Sequence, residues 1–262
     1  MQLDPRASAA GVRLVAHEAV ASTNGEALAL AARGERGPLW VTAVSQTEGR
    51  GRRGRTWVSE PGNLHASLLL TAPAPPEHVS ELSLVAALAL HDALAETAPG
   101  LKSRLSIKWP NDLLLDGEKC GGILVESDGQ EDGAVVVGIG VNCVSSPRDV
   151  PFPATDLRRA GVDVDASAVF AALTAKMLGR LAQWNAGEHF STIRADWLAR
   201  ATGIGAAVQV RTGEQDINGV FETIDDAGRL ILTLPDGGRT TISAGDVVSF
   251  RPARDAPPSG ER

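Results

Sequence analysis

The 262-residue sequence predicts an α+β fold: a mixed β-sheet with flanking helices, followed by a small β-barrel. Three observations carry this reading. Strand-like and helix-like segments are interspersed over residues 1–202. The run AVVVGIGV at 134–141 has the β-branched, wholly apolar character of a central strand. From residue 203 the texture changes to five short strands separated by glycine-containing turns, the signature of a small barrel. The predicted division is a main domain over 1–202 and a small domain over 203–251. The tail 252–262, PARDAPPSGER, has no apolar pattern and is expected to be disordered.

The elements follow in order. Strands at 11–19 and 38–45 flank a helix at 22–33, with Thr23 and Glu26 at capping-box spacing and Gly34 as the stop. A strand at 63–71 precedes a proline-rich loop and a nearly all-apolar helix at 82–94, expected to lie buried against the sheet. Strands at 105–109, 112–115 and 122–126 come next, with an Asp116-Gly117 hairpin turn, and then 134–141. Phe170, Leu173, Met177, Leu181 and Trp184 recur at helical spacing, a core stripe. A second helix ends at 194–200. The closing strands are 206–211, 219–223, 229–234, 240–243 and 246–250.

Composition excludes several classes. No apolar run reaches the ~18 residues of a membrane helix, and the N-terminus lacks a basic-then-apolar signal. A cytoplasmic protein without a membrane role is expected. The net charge of −7 argues against broad nucleic-acid binding. Cys120 and Cys143 form no C-x-x-C pair and read as small apolar residues rather than zinc ligands.

Against that acidity stands EGRGRRGRTW at 48–57, with Arg50, Arg52, Arg53 and Arg55 in one short stretch. GRGRRG matches G-x-G-x-x-G, but a dinucleotide fold wants a helix to follow and an acidic residue about 20 positions on. RTWVSEPGNL supplies neither. Glycines permit close backbone approach, and arginines match phosphate or carboxylate with planar forks. The loop is expected to be mobile when empty and to order around an anion. A solvated basic loop, or one touching RNA, is the competing reading.

A second constellation is KWPNDLLLDGEKCGGILVE at 108–126. Lys108 and Lys119 sit on opposite sides of a hairpin-like unit. Asn111 and Asp112 place an amide and a carboxylate at a strand start. Gly121-Gly122 strips side chains from beside Lys119, so something approaches the backbone there. Trp109 reads as core. The group suits a nucleotide phosphate and its metal.

Taken together, GRGRRGRTW, KWPND and KCGGILVE, with Ser22-Thr23-Asn24 and Gln46 upstream, resemble the biotin–protein ligases over nearly the whole chain. The resemblance implies a class II aminoacyl-tRNA synthetase-like catalytic domain and an SH3-like C-terminal domain. It implies two steps: biotin and ATP form biotinyl-5′-AMP, and a lysine of a biotin carboxyl carrier domain then attacks it. Acetyl-CoA carboxylase or another biotin-dependent carboxylase would own that domain.

By similarity, Ser22, Thr23, Asn24 and Gln46 line the biotin pocket, and Arg50, Gly51, Arg52 and Lys119 meet biotin or its activated form. Arg50, Arg52 and Lys119 are the implied catalytic set. Arg55, Trp57, Lys108, Asn111, Asp112 and Asn142 fall to the nucleotide and its phosphates, with Mg²⁺ near Asn111 and Asp112. The first ligase-like strand begins near residue 11, which leaves no room for the DNA-binding domain some relatives carry, so no DNA partner is expected. A sheet-edge homodimer is compatible with the resemblance. Glu48 departs from the small residue common there; pairing with a loop arginine is one role open to it, and the resemblance assigns it none. A lipoate–protein ligase shares the fold and adenylate chemistry and is the nearest alternative. A non-enzymatic RNA-binding protein is the remote one.

Overall fold

The computed structural model describes residues 1–130, 133–148, 150, 152–213 and 215–251. The expected disordered tail lies outside them. The chain opens with a short helix, α1 (Pro5–Ala9), which the sequence reading did not anticipate; Asp4 caps it and proline starts it. β1 (Arg13–Val20) and β2 (Leu39–Gln46) are parallel neighbours joined through α2 (Thr23–Ala32). Ser22, not Thr23, is the N-cap of α2: its backbone is extended and its hydroxyl accepts from the Gly25 N–H at 3.4 Å. Thr23 is already helical, and its side chain is used elsewhere.

β3 (Leu64–Thr71), β4 (Leu105–Lys108), β5 (Asp112–Leu115), β6 (Glu118–Ser127) and β7 (Ala134–Val141) complete a seven-stranded sheet ordered β1-β2-β3-β7-β6-β5-β4. All pairings after β1–β2 are antiparallel. β7 is the middle strand, as its composition required. Its alternation divides the molecule. Val135, Val137, Ile139 and Val141 face a large core shared with α3 (Leu82–Thr97), α4 (Ala166–Trp184) and α5 (Phe190–Leu198). Ala134 and Val136 face a smaller core under α2. Farther along that second face the sequence switches to Gly138, under Asn24 at the start of α2, and then Gly140, under Trp57.

α3 is apolar over most of its length, with polar residues gathered toward its C-terminal end, and it is buried between the sheet and α4. β8 (Ala207–Arg211), β9 (Asp216–Ile224), β10 (Leu230–Thr233), β11 (Arg239–Ile242) and β12 (Asp246–Arg251) form a second, antiparallel sheet ordered β11-β10-β9-β8-β12. Among the described residues β11 and β12 do not pair, so the hydrogen-bonded order is open where a closed barrel was expected. No helix among the described residues is long and apolar enough to cross a membrane.

One polar cluster ties the helices together. Asp92 on α3 accepts from Arg180 on α4 at 3.1 Å and lies 3.3 Å from Arg200, just past α5. Burial alone would raise its carboxyl. Hydrogen bonds from His91 and Arg180 and the charges of Arg180 and Arg200 outweigh burial and hold it at about 2. A depressed carboxyl contributes stability above its unfolded value, and that contribution is lost as pH falls from about 4 to about 2. Asp92→Asn should therefore destabilise the fold by about 1–2 kcal/mol at pH 7, allowing for solvent reaching the pair. Urea denaturation at stepped pH should show the gap from wild type closing below pH ~4. A gap that is constant with pH would contradict this account.

Candidate active site

The uncovered face of β7 is the floor of a cavity of about 640 Å³. Every residue that the resemblance assigns to biotin, the nucleotide or catalysis borders it, although they come from β1–α2, β2, the arginine loop and β4 to β7. The lining carries seven lysines and arginines against two aspartates, on a chain whose net charge is −7. The cavity is therefore a local anion trap in an acidic protein.

At one end, Asp112 lies between two lysines. Its Oδ2 is 2.9 Å from Lys108 Nζ, and its Oδ1 is paired with Lys119 Nζ. β4 and β5 pair Lys108 directly with Asp112 across the hairpin, which is why the lysine and carboxylate meet. Burial would raise the Asp112 carboxyl, but the charges of Lys119 and Lys108 hold it below the usual carboxylate range. Burial also lowers the Lys108 ammonium, only partly offset by Asp112. Lys108 is 4% exposed, its Nζ 3.6 Å from the centre of the Phe152 ring and 3.3 Å from the Val247 carbonyl. The sequence placed the two lysines on opposite sides of the hairpin; the structure brings both to one carboxylate.

The arginine loop closes over this end as a tight hairpin. Arg50 bridges to Thr56, and the Gly51 N–H donates to the Arg55 carbonyl at 2.7 Å. A short 3-10 turn at Arg52–Gly54 reverses the chain, with Gly54 at φ 70°. Arg52 reaches inward to Asn111 Oδ1 at 3.2 Å, the Gly245 carbonyl at 3.2 Å and Asp246 at 3.4 Å. Arg55 meets the same Asp246 at 2.9 Å. Glu48 is exposed and makes no ion pair among the described residues; Asp246 and Glu126 are the carboxylates that meet the loop arginines. Asp246 and the neighbouring β12 backbone were missed in the sequence, since nothing local in a short strand announces a contact some 190 residues away.

Trp57 lies across the floor. A Cβ on Gly140 would stand 2.5 Å from its indole, and one on Gly138 would stand 2.2 Å from Asn24 Oδ1. Both glycines are therefore required by close approach. Gly122 leaves room for the Lys119 stem and the edge of Trp57. At the other end, Ser22, Thr23, Asn24 and Gln46 form a small polar pocket. The Thr23 N–H donates to Gln46 Oε1 at 2.7 Å. Asn142, just past β7, donates to the Thr155 carbonyl at 3.1 Å. Trp109 is core, as expected: it is buried, with its N–H on the Gly228 carbonyl.

Asn111 and Asp112 do not make a cation site of their own. Asp112 gives one oxygen to each lysine, and Asn111 Oδ1 accepts from Arg52 while its amide donates to the Ile123 carbonyl. No group of three or more His, Cys, Asp or Glu is placed to hold a metal among the described residues. Nor is a cysteine nucleophile available: Cys120 and Cys143 are buried, and burial pushes both thiols up to about 12.

What such a cleft can do is hold two anions against each other while a polar pocket fixes one reactant, the arrangement of a carboxylate-activating ligase. The comparisons agree. The biotin/lipoate A/B protein ligase family matches residues 20–142, and the biotin protein ligase C-terminal domain matches residues 203–249. A biotin–[acetyl-CoA-carboxylase] ligase of Paracoccus denitrificans is 44% identical over 234 residues, covering 86% of this chain and 96% of that protein. One of Mycobacterium tuberculosis is 38% identical over 240 residues, covering 88% and 86%. The biotin protein ligase of Aquifex aeolicus in complex with biotin and ATP superposes with a TM-score of 0.77 at 27% identity, over 92% of this chain and 99% of that one. The chain belongs to the biotin/lipoate A/B protein ligase family, and its fold is that of the biotin protein ligases.

The close contact at Gly140 is directly testable. In Gly140→Ala, Trp57 should leave the floor while the rest of the fold persists. With fluorotryptophan incorporated, the Trp57 resonance should shift and those of Trp40, Trp109, Trp184 and Trp197 should not. An unmoved Trp57 signal would show that the indole does not lie on the strand.

Proposed function

We propose that the chain attaches biotin to a lysine of a biotin carboxyl carrier domain, using ATP and passing through biotinyl-5′-AMP. The observation that carries this is that Lys108, Lys119, Arg50 and Arg52 line the same cavity as the Ser22–Asn24 and Gln46 pocket. In the first step a biotin carboxylate oxygen attacks the α-phosphorus, and pyrophosphate leaves. The barrier is largely the approach of two anions, which fixed cations offset. Lys119, beside the glycine floor, is the residue for the carboxylate and α-phosphate. Asp112 holds Lys119 and Lys108 at fixed separation, so neither must be organised as the reaction proceeds. Arg50, Gly51 and Arg52 serve the acyl-phosphate junction, and Arg55, Trp57, Asn111 and Asn142 the nucleotide. Mg²⁺ enters with ATP as part of the substrate, held by phosphate oxygens and water.

In the second step the carrier lysine nitrogen attacks the acyl carbon and AMP departs. No enzyme nucleophile is needed, which suits a cavity that no cysteine lines among the described residues. The closed loop keeps water from the mixed anhydride. Residues 1–202 are taken as the catalytic unit and 203–251 as an SH3-like unit completing its rim. The partner is the carrier domain of a biotin-dependent carboxylase, acetyl-CoA carboxylase being indicated by the names of the relatives. Lipoate is disfavoured as the acyl group because the arginine–glycine loop and KWPND are the biotin-type motifs.

Purified protein with ATP, Mg²⁺ and biotin should label a biotin carrier domain; transfer of lipoate but not biotin would overturn the assignment. Lys119→Ala should lower biotin-dependent pyrophosphate release by roughly 10²–10³-fold with an unchanged melting temperature. Near-normal release would show that Lys119 has been given the wrong part.

A further inference from the structure

The polar pocket and the arginine loop are joined by one continuous hydrogen-bond circuit. It starts at the loop's outgoing foot, where Ser59 Oγ donates to the Trp57 carbonyl at 3.1 Å. Gln46 Nε2 donates to that same Ser59 oxygen at 2.8 Å, and Gln46 Oε1 accepts from the Thr23 N–H. Thr23 Oγ1 lies 2.7 Å from Ser67 Oγ, which lies 2.6 Å from Asn24 Oδ1. Ser67 has one proton. Given to Asn24, it leaves the Ser67 oxygen to accept from Thr23 Oγ1, whose own single proton is shared between Ser67 and Gln46 Oε1 at 3.0 Å. The Asn24 amide then donates to Glu126 Oε2 at 2.7 Å, and Glu126 stands 3.9 Å from the guanidinium of Arg50, on the incoming side of the loop.

Two features show that the circuit is built. Ser67 is fully buried and Thr23 and Asn24 are 4% exposed, so these groups have little water to replace a lost partner. A Cβ on Gly49, where the loop leaves β2, would stand 2.6 Å from Ser59 Oγ and 2.4 Å from the Trp57 carbonyl, so only glycine admits this closure. The Arg50–Glu126 contact alone would be worth little, because Arg50 is half exposed. Its significance is that the same carboxylate orients a pocket residue.

We propose that Ser59 and Glu126 are positioning residues that couple the acyl pocket to the arginine loop, one at each side of the loop. The proposal rests on the ligase reading for the identity of the acyl ligand, but not for the coupling itself. A head group that fixes Thr23, Asn24 or Gln46 thereby fixes both sides of the loop, and the loop arginines are set before the phosphate arrives.

The loop can be read without catalysis, because trypsin cleaves after Arg50, Arg52, Arg53 and Arg55. In the full-length protein without ligand, Ser59→Ala and Glu126→Ala should each be cut in the loop about ten-fold faster than wild type. Cutting elsewhere should not change, whereas global destabilisation would raise it everywhere. Ser59→Thr, which keeps the hydroxyl, should restore the wild-type rate. By calorimetry, biotin affinity should fall about ten-fold in each single variant and hardly further in the double variant, as for members of one circuit. Wild-type loop cleavage in both alanine variants, or affinity losses that simply add, would overturn the coupling. Wild-type protein that fails to bind biotin would instead refute the ligase reading, and the cleavage comparison would still decide the coupling.

Discussion

The organisation of the site depends on one buried carboxylate held between two lysines. Asp112 is 9% exposed, and burying it without partners would be prohibitive. With Lys108 on one oxygen and Lys119 on the other it stays ionised, and the cluster carries a net positive charge. This fixes what the cavity can accept. Removing the carboxylate would leave two ammonium groups facing each other in a low-dielectric cleft. Removing either lysine would leave the other compensated but the cavity less attractive to an anion. The β4–β5 hairpin exists in a register that makes the first contact unavoidable, because Lys108 and Asp112 are direct cross-strand partners.

The central strand places that cluster. β7 is long enough to face three environments in turn: the main core on one side, and α2 and then open cavity on the other. The change from Val136 to Gly138 and Gly140 on the second face removes side chains where Asn24 and Trp57 must lie on the backbone. An alternating strand has thus been used twice, as a core element and as a floor. The missing side chains forfeit apolar burial on that face, which the large helical layer beneath supplies from the other.

Much of this was legible in the sequence, for identifiable reasons. AVVVGIGV announces a central strand by its β-branched run, and GRGRRGRTW, KWPND and KCGGILVE announce a site because charged and glycine residues cluster locally. Features built from distant pairs were not legible. Asp246 lies in a short strand of the second sheet, and Glu126 and Ser67 are lone polar residues in strands. Their roles follow only from register, such as Ser67 opposite Gly138. The start of α2 was misread by one residue because Thr23 and Glu26 satisfy capping spacing, whereas the extended backbone and hydroxyl contact belong to Ser22. The second sheet was read correctly in its strands but not in its closure, since turn signals locate strands without saying which edges meet.

The distribution of countercharge around the loop follows from the same electrostatics. Asp112 is buried, doubly paired and permanent. Asp246 and Glu126 are only partly buried, and their arginines stand 2.9 to 3.9 Å away, with Arg55 and Arg50 half exposed. Such pairs are individually weak and readily exchanged. A polyphosphate offers several oxygens in the fork geometry that arginine prefers, so it competes well against one carboxylate per pair. The buried carboxylate therefore fixes the two lysines, and the partly buried ones hold the loop arginines where they lie. Because Asp246 belongs to the second sheet, the position of Arg52 and Arg55 is set by contacts between the two sheets. The second sheet is in this sense part of the wall of the candidate site, although it contributes no residue from the motifs by which that site is singled out.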